Sequence, residues 1–382
     1  MDPTPPPPRA DRKGLRIGVV AGVPVYVSAT WLVIAVFIVI GYQPIVAARL
    51  PSISSTAAYV TAFGFVIVLF VSVLLHELGH ALVALRLGIR VRAMTLWMLG
   101  GYTEMEREPS SPRDEFAVAA AGPAVSLLVG ALSAVGVLAL PDGTIARELV
   151  FQSAVSNLSV AVFNLLPGLP LDGGSLVRAA IWRIAGNRDT GTVAGGWAGR
   201  VVAVLVIAAG VFPALFGARG LGGTSLLLTL AVGIFLWFGA SQAIQLGTMS
   251  ARLPSLRPRE LVRPTLNVPA DLPLAEALRR ARDAGARGLV VVDSAGSASA
   301  VVTEHAVAAT PEERRPWIPV GSVARTLEPG MIIPADLTGE GLLQAMRACP
   351  ATEYVVSEAD HVVGVLVAGD VAQTLDPRGN TR

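Results

Sequence analysis

Leu74-Leu75-His76-Glu77-Leu78-Gly79-His80-Ala81 lies within an apolar run from about Ala57 to Leu87. A run of that length and character forms a membrane-spanning helix. His76 and His80 stand four residues apart on one helix face, so both imidazoles can reach one metal ion. Glu77 lies roughly 60° around the helix from His80 and can hold a water beside that ion. No other Asp, Glu, His, Lys or Arg occurs between Ala57 and Leu85. Three such groups at membrane depth cost on the order of several kcal/mol unless they bind something or line a wet cavity. A metal site meets that condition, and so does a proton relay in a transporter.

Composition agrees with a polytopic membrane protein. Of 382 residues, 53% are hydrophobic and 15% charged, too apolar for an ordinary soluble domain. The net charge is only +2, and Lys13 is the one lysine among 30 basic residues. No concentrated basic surface stands out, which argues against nucleic acid as a partner. A single cysteine, Cys349, excludes both an intrachain disulfide framework and a cysteine-built zinc site. Any metal must therefore be held by histidine and carboxylate.

Residues 1–15 are Pro-rich and polar and read as a disordered tail. Six spans follow: about Val25–Ile45, Ala57–Leu87, Phe116–Leu140, one from Leu149, Ala198–Leu215 and Ser225–Gln245. After the second span, Val91 to Met105 predicts two short strands about a Gly100-Gly101 turn. The fourth span ends in Asn164-Leu-Leu-Pro167-Gly168-Leu-Pro170-Leu171-Asp172-Gly173-Gly174, where prolines and glycines break an apolar helix. Broken backbone at membrane depth is tolerated only where protein buries it or it lines a wet cavity. A cavity-facing segment is expected, and it carries Asp172. Capping of the next helix is an equal reading of Asp172.

Arginine placement sets orientation. The tail, the loops after the second and fourth spans and the segment after the sixth are arginine-rich. Both termini are expected in the cytoplasm of a multi-pass cell-membrane protein. The His76–His80 helix and Asp172 then lie at similar depth towards the cytoplasmic leaflet.

His76-Glu77-x-x-His80 with the downstream Asn164 to Gly174 pattern resembles the site-2 protease family of intramembrane zinc metalloproteases. Gly18 to Val25, Leu99-Gly100-Gly101 and Ala121-Gly122-Pro123 are also similar to that family. The resemblance covers about Arg16 to Ser250. It implies a Zn2+ ion on His76, His80 and Asp172, Glu77 as general base, and Asn164 supporting the reacting carbonyl. It implies a substrate with a membrane-spanning segment. Two positions depart from the family pattern: Ser126 stands where an Asn is often found, and Ser175 where an Arg is frequent. Both are expected to bear on substrate fit, away from the metal ligands.

From about residue 256 to 376 hydropathy falls and a helix–strand–strand order occurs twice. Helix Leu274–Arg282 precedes strands Gly288–Asp293 and Ala300–Thr303. Helix Gly341–Arg347 precedes strands Thr352–Ser357 and Val362–Val367. This cytoplasmic α/β duplication resembles a tandem CBS pair, a regulatory module that often binds adenosyl ligands and can pair into a homodimer. Thr303 and Asp370 are the residues the resemblance assigns to an adenine nucleotide. The Thr-x-x-Asp pattern is split, however: Ala306 follows Thr303 by three, and Val367 precedes Asp370 by three. Residues 377–382 read as a tail. The whole is expected to be a zinc endopeptidase in the lipid bilayer with a CBS regulator. The alternative is a CBS-regulated transporter using His76, Glu77, His80 and Asp172 as an ion relay.

Overall fold

The computed structural model describes residues 14–98, 100–215, 223–294, 296–359 and 361–375. Most of the N-terminal tail (residues 1–13), Leu99 and the tail 377–382 lie outside them. The chain divides into two compact units that meet at Gly247 and Thr248.

The first unit opens with a hairpin that the sequence reading missed. Strands β1 (Leu15–Val20) and β2 (Val23–Val27) pair antiparallel. Ala21 and Gly22 both have positive φ, 51° and 80°, the backbone of the tight turns that match strand twist. Val23, Val25 and Val27 are buried while Pro24 and Tyr26 are half-buried, so the period is two. The first helix, expected from about Val25, therefore begins only at Ala29. Ser28 caps it, its side chain accepting from the Thr30 amide.

Helix α1 (Ala29–Arg49) leads into α2 (Ser55–Arg86), which carries the His-Glu-x-x-His segment. Strands β3 (Val91–Trp97) and β4 (Gly100–Met105) then form an antiparallel pair. Trp97 pairs with Gly100. The reversal thus falls before the glycines, and Gly100-Gly101 is the start of β4 rather than the expected turn. The β2 strand runs parallel to β3, Val25 opposite Met94, giving one sheet in the order β1-β2-β3-β4. Val23, Val25 and Met94 pack on Ala81 of α2.

Helices α3 (Pro112–Leu138), α4 (Ile145–Asn164), α5 (Asp172–Ala185), α6 (Arg188–Leu215) and α7 (Gly223–Arg252) complete the membrane-embedded part. Five helices among the described residues, α1, α2, α3, α6 and α7, are long and apolar enough to cross a membrane. The fourth expected span, α4, is 20 residues long. That is enough for about 30 Å of hydrocarbon, but Arg147, Glu148, Gln152 and Asn157 make it more polar. Its polar groups face other helices. Asn157 donates to Ser72 of α2 at 2.8 Å, and Ser133 of α3 bonds Ser153 at 2.9 Å. Large apolar side chains such as Phe37, Ile40, Leu132 and Val135 are well exposed, as suits helices facing lipid.

The second unit contains α8 (Pro258–Leu261), β5 (Thr265–Pro269), α9 (Leu274–Asp283), β6 (Gly288–Val292), β7 (Ala298–Val302), α10 (Glu304–Ala309) and β8 (Ala324–Thr326). The remaining elements are β9 (Ile332–Pro334), α11 (Gly339–Ala348), β10 (Glu353–Glu358), β11 (His361–Val367) and α12 (Ala368–Leu375). Each half has a leading strand that the helix–strand–strand reading did not include. β5 joins β6 in parallel as β9 joins β10, and β6–β7 and β10–β11 are antiparallel. The halves share a core of Val290, Val301, Met331, Val355 and Val365.

Candidate metal centre

The α2 helix presents His76 and His80 from one face, each less than 8% exposed. Asp172 arrives from the other side, as the first residue of α5. The loop leading to it, residues 165–171, is buried by protein at Gly168, Leu169 and Leu171, while Leu165, Pro167 and Pro170 are exposed. Its backbone is satisfied: the Leu169 amide donates to Gly195 of α6, and the Leu171 amide to Gly168. Leu171 is the N-cap of α5 and no side chain caps that helix. Asp172 is thus no cap. Its Oδ2 lies 3.1 Å from His76 Nε2 and 3.3 Å from His80 Nε2.

The two Nε2 atoms are 3.3 Å apart. The three ligand atoms therefore form a nearly equilateral triangle, and this is the metal-ligating cluster found among the described residues. A tetrahedral Zn2+ with bonds of about 2.0–2.1 Å requires donor–donor edges of about 3.3 Å. The donor set fits that ion in chemistry and in spacing.

The far nitrogens are also held. His80 Nδ1 donates to the Val118 carbonyl at 2.7 Å, and since a carbonyl only accepts, Nε2 is left with its lone pair towards the triangle. His76 Nδ1 bonds Ser126 Oγ at 2.9 Å, and Ser126 is 1% exposed. This corrects the expectation that Ser126 stands away from the metal ligands. A buried Ser or Asn at that position reads as an imidazole partner once α3 is seen against α2. Gly122 explains the close approach of these helices. A Cβ there would overlap His80 Nε2 and come within 2.7 Å of His76 Nε2.

Glu77 is 5% exposed and faces β4. Thr103 Oγ1 donates to its Oε2 at 2.8 Å. A Cβ on Gly101 would meet Glu77 Cγ at 2.5 Å, so the strand's glycine admits the carboxylate. Asn164, the last residue of α4, is half-buried, and its side chain has no hydrogen-bond partner among the described residues. Ser175 is 3.4 Å from Arg178. The sequence reading also missed a cluster behind the site. Glu115 of α3, 2% exposed, accepts from Arg178 of α5 and from Arg188 of α6, and Arg188 also pairs with Glu108.

In the second unit, Thr303 caps α10 by accepting from the Ala306 amide. Both Asp370 oxygens accept from Arg263, at 2.8 and 2.9 Å. Internal contacts thus occupy both residues that the CBS resemblance assigned to a nucleotide.

The family model for "Peptidase family M50" matches residues 64–153 and 142–209. The protein named "Putative zinc metalloprotease Rip3" from Mycobacterium tuberculosis is 31% identical over 96% of this chain and 93% of its own length. "Putative zinc metalloprotease sll0528" from Synechocystis is 38% identical over 51% of this chain, a match spanning about half that relative's length, 52%. The solved site-2 protease of Methanocaldococcus jannaschii is 25% identical, covering 60% of this chain and 95% of that one, with a TM-score of 0.42. A solved CBS domain of a bacterial CNNM/CorC family Mg2+ transporter is 19% identical, covering 40% and 95%, with a TM-score of 0.28.

Proposed function

Because this chain belongs to peptidase family M50, we propose that it is an intramembrane zinc endopeptidase cleaving within or near the membrane-spanning segments of other proteins. The observation that carries this reading is the triangle of His76, His80 and Asp172 beside a buried Glu77. The three would hold the ion, a set of three protein donors as catalytic zinc sites use. When bound, the ion polarises the scissile carbonyl and brings the pKa of water towards about 7.

Glu77 takes the proton from the attacking water and returns it to the leaving amine. Thr103 holds one carboxylate oxygen and so fixes the orientation of the other. The Asn164 side chain, unpartnered among the described residues, donates to the developing oxyanion. Among the described residues, the β4 strand ends the sheet and pairs with β3 alone. An unwound substrate segment can pair along its free edge, which brings an extended peptide beside Glu77. Both termini lie in the cytoplasm, and the second unit modulates the reaction. That unit pairs with a second copy, and adenine nucleotides bind it weakly, since Thr303 and Asp370 are engaged internally.

The test is Glu77→Gln in purified full-length protein. Near-stoichiometric zinc should remain while cleavage of a membrane-protein substrate falls by several orders of magnitude. Wild-type protein without zinc would favour an ion relay instead, and Glu77→Gln turning over at the wild-type rate would remove Glu77 as the base.

A further inference from the structure

Between the first turn of α3 and the last turn of α5 lies a cavity of about 310 Å³, lined by Pro112, Arg113, Phe116, Ala179, Ala180 and Arg183. No carboxylate lines it, and among the described residues neither arginine has an acidic partner. The buried acid nearby, Glu115, is taken up by Arg178 and Arg188. Arg113 and Arg183 therefore remain as surplus cations. The rest of the wall is apolar, and Phe116 is 52% exposed. Ile184, one helical turn beyond Ala180 on α5, is 82% exposed.

The depth of this groove follows from α3 alone. A helix that crosses the membrane places its first turn at the boundary of hydrocarbon and water. Two guanidiniums at that level, lining one cavity with Phe116, match a ligand with an anionic head and an apolar tail. Arginine pairs with phosphate oxygens through two parallel donors, and basic pockets between membrane helices bind acidic headgroups. We propose that this groove binds an anionic phospholipid, with Arg113 and Arg183 on the phosphodiester and Phe116 and Ile184 along the acyl chain. The groove is separate from the metal centre. Arg113 is about 14 Å along α3 from Gly122, and Arg183 about 17 Å along α5 from Asp172, at 1.5 Å per residue.

The experiment is native mass spectrometry of the full chain released from detergent micelles containing phosphatidylglycerol or phosphatidylcholine. Wild type should retain phosphatidylglycerol over phosphatidylcholine. The double variant R113Q/R183Q should lose about 10-fold or more of that retention, whereas R86Q, which removes an exposed cation outside the groove, should not. Zinc content checks that the double variant is folded. If it loses zinc, R183Q alone must still weaken retention several-fold. Equal retention of the two lipids overturns the proposal, as does equal phosphatidylglycerol retention by wild type and the groove variants. Displacement of the lipid by millimolar inorganic phosphate would also overturn it, because the site would then read phosphate without the acyl chain.

Discussion

Ser126 and Gly122 do for the histidines what Thr103 and Gly101 do for Glu77. One member of each pair holds a polar atom, and the other vacates the space it needs. Imidazole partners of this kind typically contribute about 10- to 100-fold in metal affinity. Ser126→Ala is expected to weaken zinc binding by about that factor, read by competition with a chelator, with little change in thermal stability; Ser126→Asn should restore part of the loss. Gly122→Ala should be harsher, since its methyl overlaps His80 Nε2. The expected result is protein purified with well under one zinc per chain. Full zinc loading of Gly122→Ala would show that α3 can move away from α2 at no cost. Asn164→Ala should leave zinc untouched and slow cleavage by about 10²-fold if its amide is one oxyanion donor.

At the scale of elements, the centre depends on three helices meeting. α2 brings two of the proposed ligands, α3 supplies their supports, and α5 brings Asp172. The cluster of Glu115 with Arg178 and Arg188 ties α3 to α5 and α6. Removing one partner of a buried ion pair strands the other charge and costs roughly 3–5 kcal/mol. Glu115→Ala should therefore lower the thermal midpoint in detergent and release zinc before global unfolding, because α5 carries the proposed ligand Asp172. An unchanged midpoint would mean that water already screens the cluster. In the same way α4 is held through Asn157 and Ser72, which explains why a polar helix sits among apolar ones.

For the whole molecule, the two units make separable predictions. A chain ending near Ser250 should keep zinc and measurable cleavage, since every candidate ligand and Glu77 lie in the first unit. A folded, zinc-loaded truncation with no activity would make the second unit part of the catalytic apparatus. Calorimetry of the full chain with adenine nucleotides is expected to show no tight binding. Asp370 would have to leave its two bonds to Arg263 before it could accept from a ribose. Micromolar affinity would contradict that. Reporter fusions after Gly247 and within residues 141–145 should fall on opposite sides of the membrane.

Much of this protein is legible along the chain because helix periodicity is local. The four-residue step from His76 to His80 fixes a shared face wherever that helix sits, and the proline–glycine breaks mark where α4 must stop. Arginine spacing leads one to expect Asp172 at the depth of the histidines, and its carboxylate lies 3.1 Å from His76. The alternation of Val23, Val25 and Val27 was also present, but a short apolar run next to a hydrophobic helix reads equally well as its first turn. Only pairing with β3, some seventy positions later, makes it a strand. The same holds for Ser126 on His76, Thr103 on Glu77 and Asp172 on both histidines, contacts between residues 26 to 96 positions apart. Such contacts are decided by how several helices and one sheet pack together. That packing is a sum of many small terms, and no single stretch of sequence carries it.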